Sequence, residues 1–381
     1  MALACETRPI DRVTYGWLRM GWLDEHVDTI YPGMRAFAMG LGRGRRHTVR
    51  TIHLLVTLAV GITLAGRPLA QAPVQRQPII DMHLHAYRAA DWKGSPPNPI
   101  TGQPGPATAE EHLRQTLAAM ERYTVVKAIV SGPVEVVEQW RTAAPGRILA
   151  SPLFGRPNVD LSGRPLPKID ELRSLFKSGR LSAIGEVVAQ YEGLSPSDPA
   201  LEPYFVLAEE LDIPVGIHTG TSFPGTPYQG RPRFRLALGN PLLLEDLLVR
   251  HPKLRVFIAH GGEPWRRETI ALMAMYQHVY MDVGTIWLLG SFNRPAIDDW
   301  FREMLSHDLG KRIMFGTDQM QWPDAIGMAI EVIESVKFLT EEQRRDIFYN
   351  NAARFLRLGP SDGRAGPRLP GPPLDPRAPR N

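Results

Sequence analysis

The chain has 381 residues, 43% of them hydrophobic, which is enough for a full buried core. Its formal net charge of +4 lies entirely within residues 1–72, where nine arginines face five acidic residues. The remaining chain is electrically balanced, so the basic composition gives no indication of a nucleic-acid partner. The only cysteine is Cys5, so a protein that loses its N-terminus needs no disulfide.

The N-terminal segment has the pattern of an export signal. A basic stretch at residues 43–50 (RGRRHTVR) precedes an apolar run at residues 54–65 (LLVTLAVGITLA). That run has the length of a signal-peptide core and is shorter than the roughly 20 residues that span a bilayer. Small residues at Ala70 and Ala72 then match a signal-peptidase site. We therefore predict that residues 1–72 contain a signal peptide cleaved after Ala72, and that the protein is periplasmic or secreted.

Several details of this export prediction stay open. Pro73 would follow the cleaved bond and hinder the peptidase, so cleavage after Ala70 is the alternative. An uncleaved membrane anchor is the competing interpretation. The pair Arg45 and Arg46 leaves open both the Sec and the twin-arginine route. After cleavage we expect no stable membrane insertion, while homo-oligomer formation stays open.

From residue 73 onward, apolar and β-branched runs alternate with helical patterns. The eight runs are residues 79–83, 125–130, 147–154, 181–188, 213–220, 255–262, 279–286 and 312–319. Their nearly continuous apolarity favours parallel strands that are covered on both faces. Eight such units over about 290 residues predict a (β/α)8 TIM barrel over residues 73–358. A doubly wound open sheet is the alternative, but no glycine fingerprint follows the first strand.

The helical segments between the runs carry recognisable caps. Residues 108–111 (TAEE) form a capping box, followed by an apolar stripe of Leu113, Leu117 and Met120. Residues 340–343 (TEEQ) begin a last helix that we expect to end at residue 359. Residues 359–381 are rich in Pro, Gly and Arg without an apolar period, so we predict that they are disordered.

Ionisable side chains close several of the otherwise apolar runs. They are His83 and His85 on the first strand, Glu186 on the fourth, His218 on the fifth, His260 on the sixth and Asp318 on the eighth. His83 and His85 point to the same face because they are two residues apart on a strand. The carboxyl ends of barrel strands meet at one rim, where six unpaired polar groups would be costly to bury. Imidazole and carboxylate groups are metal ligands, so this rim predicts a divalent metal site.

Short motifs at these positions resemble the amidohydrolase-2 branch of the amidohydrolase superfamily over residues 78–357. They are DMHLHA (81–86), GEV (185–187), GIHTG (216–220), IAHGG (258–262) and FGTDQ (315–319). The resemblance implies that His83 and His85 bind one metal together with Asp318. It also implies that His218 binds the same metal or a second one, and that His260 completes a second site or polarises the substrate. The branch contains hydrolases and metal-dependent decarboxylases of aromatic acids.

Glu186 bears on the number of metals. Members of the superfamily with two metals carry a bridging acid on strand 4, either a carboxylated lysine or a glutamate. No lysine stands there in this chain, which departs from the commoner binuclear pattern, but Glu186 lies at about that place. Two roles therefore stay open for Glu186: it bridges two metals, or it holds a histidine ligand by a hydrogen bond.

A hydrolytic mechanism follows from this set of ligands. Zinc lowers the pKa of bound water to about 7, and Asp318 can accept and return a proton, while His260 or the metal polarises the attacked carbonyl. The mixed nitrogen and oxygen donors suit Zn, although Mn, Fe or Co would also fit. The loop at residues 221–235 carries Arg231, Arg233 and Arg235, which either clamp an anionic substrate or are simply solvated.

Three functions remain after these observations. We favour a metal-dependent hydrolase that acts on an ester, amide or lactone of a small organic substrate. The alternative is a metal-dependent decarboxylase of an aromatic carboxylic acid. The third is a catalytically silent binding protein, against which the intact set of ligands argues.

Overall fold

A computed structural model of the protein describes residues 77–359, except for the side chains of Leu289 and Phe292. The predicted signal peptide and cleavage site lie outside these residues, as does the predicted tail from residue 360 onward.

All eight predicted strands are present, although several are shorter than their apolar runs. They are β1 (Ile79–His85), β2 (Val125–Gly132), β3 (Ile148–Pro152), β4 (Ile184–Val187), β5 (Val215–Ile217), β6 (Val256–Ile258), β7 (Tyr280–Asp282) and β8 (Ile313–Met314). Most of their residues are buried, in agreement with strands covered on both faces. Because the later strands stop early, several polar residues lie just beyond a strand end.

Consecutive strands pair in parallel within two sheets, β1–β2–β3 and β4–β5–β6–β7–β8. Two parallel bridges connect these sheets: Phe154 pairs with Val187 beside β3 and β4, and Leu84 pairs with Gln319 beside β1 and β8. The eight strands therefore form a closed ring, which is the arrangement of a (β/α)8 barrel.

Helices lie between the strands and cover the ring. They are α1 (Ala109–Arg122), α2 (Val134–Ala143), α3 (Ile169–Lys177), α4 (Glu202–Glu210), α5 (Glu245–Arg250), α6 (Arg266–Met275), α7 (Ile286–Phe292), α8 (Arg294–Ser306), α9 (Ala325–Glu334), α10 (Glu341–Arg345) and α11 (Asn351–Phe355). A π-helical turn, Asp346–Asn350, joins the last two. Within residues 77–359, no helix is long and apolar enough to cross a membrane.

The helix caps largely follow the sequence. The Thr340 side chain accepts from the Gln343 backbone N–H, and the Gln343 side chain accepts from the Thr340 N–H, so the last predicted helix begins with a capping box. At the capping box predicted for residues 108–111 only one half forms: Thr108 accepts from the Glu111 N–H at 3.1 Å, but the Glu111 side chain accepts from the Ala107 N–H. The last helix ends at Phe355, four residues before the expected position.

The predicted apolar stripe on α1 faces the core: Met120 is fully buried, and Leu113 and Leu117 are partly buried and pack against the core. Two polar residues beside the stripe, His112 and Thr116, are buried more deeply than the leucines. Two contacts account for the burial of His112. The His112 ring contacts the Trp140 ring of α2 at 5.4 Å, and its Nε2 lies 2.7 Å from the Gln319 side chain.

Candidate metal centre

The structure brings together all six residues predicted to form the rim site. Two compact groups of ligand atoms arise among these six residues, in each of which all atoms lie within 4.8 Å of one another; a third group of this kind adds Asp282 to His83 and His260. The first group is His83, His85 and Asp318, and the second is Glu186, His218 and His260. All six side chains are buried or nearly so, so their polar atoms have little access to bulk water.

Glu186 lies between the two groups and directs one oxygen to each. Its Oε2 is 3.5 Å from Nε2 of His83 and 3.8 Å from Nε2 of His85. Its Oε1 is 3.1 Å from Nε2 of His260 and 4.0 Å from Nε2 of His218. A single carboxylate thus faces both pairs of imidazoles, which is the placement that a bridging ligand requires.

Hydrogen bonds at the outer nitrogens orient three of the imidazoles. Nδ1 of His83 is 3.0 Å from Oδ2 of Asp282, and Nδ1 of His218 is 2.8 Å from Oε1 of Gln190. Nδ1 of His260 is 3.2 Å from the Gly284 carbonyl. Because each outer partner is an acceptor, the proton belongs on Nδ1 and the Nε2 lone pair faces the centre of the cluster.

The donor atoms fit a divalent metal. Nε2 of His83 is fully buried and has no hydrogen-bond partner among residues 77–359. A buried nitrogen without a partner is costly unless a ligand completes it. The surrounding atoms are imidazole nitrogens and carboxylate oxygens, which suit Zn and related ions.

Asp318 belongs to the His85 side of the cluster. Its Oδ1 lies 2.9 Å from Nε2 of His85 and 3.4 Å from Nε2 of His83. Its backbone has a φ of +52°, and that of His260 has a φ of +62°. Both residues therefore occupy the left-handed region, which is strained for most side chains and is held only where surrounding contacts fix it.

Opposite charges dominate the electrostatics of the cluster. Burial lowers the pKa of His83, but the three nearby carboxylates raise it well above the ordinary histidine value. Burial raises the pKa of Glu186, but the imidazoles around it hold it well below the ordinary range. The pKa of His218 falls to about 4 because burial disfavours its charged form. Carboxylates and a protonated imidazole thus share a pocket in which a cation can replace the proton.

Asp81, which precedes the two histidines of β1, connects the first strand of the ring to the segment after the last strand. Its Oδ1 accepts from the backbone N–H groups of His83 and Thr317, both at 3.0 Å, and its Oδ2 accepts from the Thr317 hydroxyl at 2.8 Å. Burial raises the pKa of Asp81 to about 7. Its role is to hold β1 against the segment that carries Asp318.

Sequence reasoning missed two residues that orient the ligands. Asp282 holds Nδ1 of His83 and also accepts from the backbone N–H groups of His260 and Gly284. Gln190 orients His218 from the turn that follows β4. The sequence shows Asp282 only as an acid within the seventh apolar run, which does not identify His83 as its partner.

The arginines of the loop after β5 differ in their contacts. Nη1 of Arg233 lies 3.5 Å from Oε2 of Glu192, and Arg235 donates to carbonyls of its own loop. Arg231 donates to the Leu161 carbonyl at 3.1 Å and has no carboxylate partner among residues 77–359. Arg231 and Arg235 therefore both lack a carboxylate partner among residues 77–359, and the clamp stays a prediction.

Two tyrosines approach the cluster from its outer side. The Tyr191 ring meets the His218 ring edge-on at 5.1 Å, and its hydroxyl lies 2.6 Å from the Ser222 hydroxyl. Burial raises the pKa of Tyr87, and the nearby charges of Asp318 and Glu186 raise it further. Tyr228, in the loop after β5, is by contrast 92% exposed.

Comparisons with known proteins agree with this architecture. A family model described as Amidohydrolase matches residues 80–358. An uncharacterised TIM-barrel protein of Bordetella bronchiseptica superposes with a TM-score of 0.55 at 18% identity, covering 75% of this chain and 100% of its own. A probable 2-pyrone-4,6-dicarboxylic acid hydrolase of Acinetobacter baumannii gives a TM-score of 0.51 at 13% identity, covering 74% and 100%.

A curated relative shares a shorter region. Protein fluG of Emericella nidulans is 24% identical over 160 residues, which are 38% of this chain and 17% of that protein. The structural likenesses support the barrel fold, and the family model extends over most of the chain. The family consists of enzymes that use divalent metals, in agreement with the clustered ligands. This chain therefore belongs to the amidohydrolase superfamily, in its amidohydrolase-2 branch.

Proposed function

We propose that the protein is a metal-dependent hydrolase that acts on an ester, amide or lactone of a small organic substrate. The placement of Glu186 supports this proposal, because its two oxygens face the His83–His85 pair and the His218–His260 pair. A carboxylate between two sets of ligands suits a binuclear centre of the hydrolytic type. We assign one metal to His83, His85 and Asp318, and a second to His218 and His260, with Glu186 between them.

The remaining steps of this mechanism are assigned to side chains of the protein. A bound divalent ion supplies Lewis acidity, which activates water at neutral pH and polarises a carbonyl. Asp318 is ionised, because the imidazoles beside it lower its pKa against the effect of burial. It can therefore accept a proton from the attacking water and return it to the leaving group. Asp282 and Gln190 keep the imidazoles in the tautomer that leaves Nε2 free.

The test is a substrate screen on the metal-reconstituted protein, with the products identified. We expect hydrolysis of at least one ester, lactone or amide, and we expect His83→Ala to lose both the metal and the activity. His278→Ala is the matched control, since His278 is exposed and lies outside the cluster. Release of CO2 from an aromatic acid, without hydrolysis, would contradict the proposal and identify the decarboxylase alternative.

A further inference from the structure

Tyr87 occupies the position directly outward of the two β1 histidines. Side chains alternate along extended backbone, so His83, His85 and Tyr87 share one face. The backbone stays extended beyond β1, because the Ala86 N–H donates to the Ser131 carbonyl at 2.9 Å and Arg88 has φ −66° and ψ 142°. Tyr87 therefore lies one step above His85, at the mouth of the cluster.

The ring of Tyr87 is packed, whereas its hydroxyl is not engaged. The ring centroid lies 5.4 Å from that of Trp92 and 5.9 Å from that of His112. Among residues 77–359 the hydroxyl has no hydrogen-bond partner. Burial and the nearby charges of Asp318 and Glu186 raise its pKa. The side chain is partly exposed and its hydroxyl is not fully buried, so a ligand can reach it.

Tyr191, on the other side of the mouth, has its hydroxyl already hydrogen-bonded within the protein. The Ser222 hydroxyl lies 2.6 Å from the Tyr191 hydroxyl and 2.9 Å from that of Thr226, which donates to the Phe223 carbonyl at 2.6 Å. The Tyr191 hydroxyl therefore has a protein partner in Ser222, whichever of the two donates. Tyr191 thus anchors the loop after β5, and of these two phenols only that of Tyr87 has no hydrogen-bond partner among residues 77–359.

We propose that the Tyr87 hydroxyl donates a hydrogen bond to the ligand oxygen that carries negative charge in the tetrahedral stage of the reaction. This inference rests on the proposed hydrolytic function and adds a catalytic residue to it. It also restricts the substrate, which must place an oxygen within reach of Tyr87 while its reacting carbon lies over the histidines. A positioned donor of this kind stabilises developing charge in a site that excludes water.

The test is the affinity of methylphosphonate, a stable tetrahedral anion, for the metal-loaded protein by calorimetry. Tyr87→Phe keeps the packed ring and removes only the hydroxyl. We expect it to weaken binding about tenfold and to lower kcat on any hydrolysed substrate about 100-fold with little change in KM. Tyr191→Phe is the comparator and should leave the phosphonate affinity within about threefold, because the Tyr191 hydroxyl is already paired with Ser222.

The outcomes separate this inference from the proposed function. Three outcomes would overturn the role of Tyr87. They are no binding of methylphosphonate, binding whose affinity Tyr87→Phe leaves unchanged, and an equal loss of affinity in Tyr191→Phe. Hydrolysis that does not depend on Tyr87 would overturn this inference alone. Tyr87-dependent binding in a protein that hydrolyses nothing would support the contact and overturn the hydrolase proposal.

Discussion

Glu186 faces two pairs of imidazoles with two different oxygens, so the number of bound metals depends on one carboxylate. Two cations a few ångströms apart repel each other strongly unless an anion lies between them. Glu186→Gln keeps the shape and removes the charge. We therefore expect the metal content to fall from two ions per chain to one, as measured by elemental analysis after reconstitution with excess Zn.

The control for this change is Glu192→Gln. Glu192 follows the same strand but pairs with Arg156 and Arg233 instead of the histidines. Its substitution should leave the stoichiometry unchanged. If Glu186→Gln still binds as many ions as the wild-type protein, Glu186 does not bridge, and its role is to hold a histidine by a hydrogen bond.

Asp282 allows a second prediction at the level of a single side chain. Its Oδ1 accepts from two backbone N–H groups, while Oδ2 faces Nδ1 of His83. In Asp282→Asn the amide oxygen would keep the backbone contacts, so the amide NH2 group would face His83. A donor at that place moves the imidazole proton from Nδ1 to Nε2, which blocks the metal-facing lone pair.

We expect Asp282→Asn to lower metal affinity about 10–100-fold, as titration with a competing chelator would measure. Asp298→Asn, on the outer surface of α8 where its partner is Arg294, serves as the control. Unchanged affinity in Asp282→Asn would mean that the His83 tautomer is set by something other than this contact.

The histidines and Asp318 were predictable from sequence, whereas their outer partners were not. An ionisable group that closes an apolar run stands out, because burial makes it costly there. Asp282 lies within a run, and its contact with His83 joins residues 199 positions apart. Spacing along the chain carries no information on such a pair, which only the closed ring brings together.

At the level of elements, a tight turn after β6 fixes the position of His260. Gly262 has a φ of +71°, and a Cβ there would lie 1.9 Å from Oγ1 of Thr269. Gly179 has a nearly equal φ of +69°, but a Cβ at Gly179 would meet nothing within 4 Å. The loss of unfolding free energy in Gly179→Ala therefore reflects only the cost of placing alanine in the left-handed conformation, about 1–2 kcal/mol.

Gly262→Ala should lower the free energy of unfolding by about 1–3 kcal/mol more than Gly179→Ala does, because of the additional overlap with Thr269. Denaturant unfolding of the two variants measures this difference. Equal losses would show that the turn after β6 can relax, and that its glycine serves backbone conformation only.

The strands and the helices were predictable from the sequence to different degrees. The strands were found because strands buried on both faces give continuous apolar runs. The apolar stripe of α1 was found, but the deep burial of His112 was not, because it depends on contacts with Trp140 and Gln319 from other parts of the chain. The last helix stops at Phe355, and Arg357 follows with a φ of +56°, which ends the helix before the expected glycine.

At the level of the whole molecule, we propose that the protein is exported and that its leader is removed. The sequence pattern predicts that mature protein begins at Pro73, with Gln71 as the alternative start. N-terminal sequencing of the periplasmic or secreted fraction measures this directly. Mature protein that retains residues 54–65 would contradict cleavage and favour the membrane anchor.

The division of the ring into two sheets has a consequence for its motions. His83 and His85 belong to the sheet of β1–β3, whereas Glu186 and the three remaining ligands belong to or follow strands of the other sheet. Ions held by this set would cross-link the two sheets, through β1 in one sheet and through β4 and the strand ends after it in the other. Amide exchange at Met82 and Val188, whose N–H groups bond across the seams to Phe315 and Phe154, should then slow as metal concentration rises.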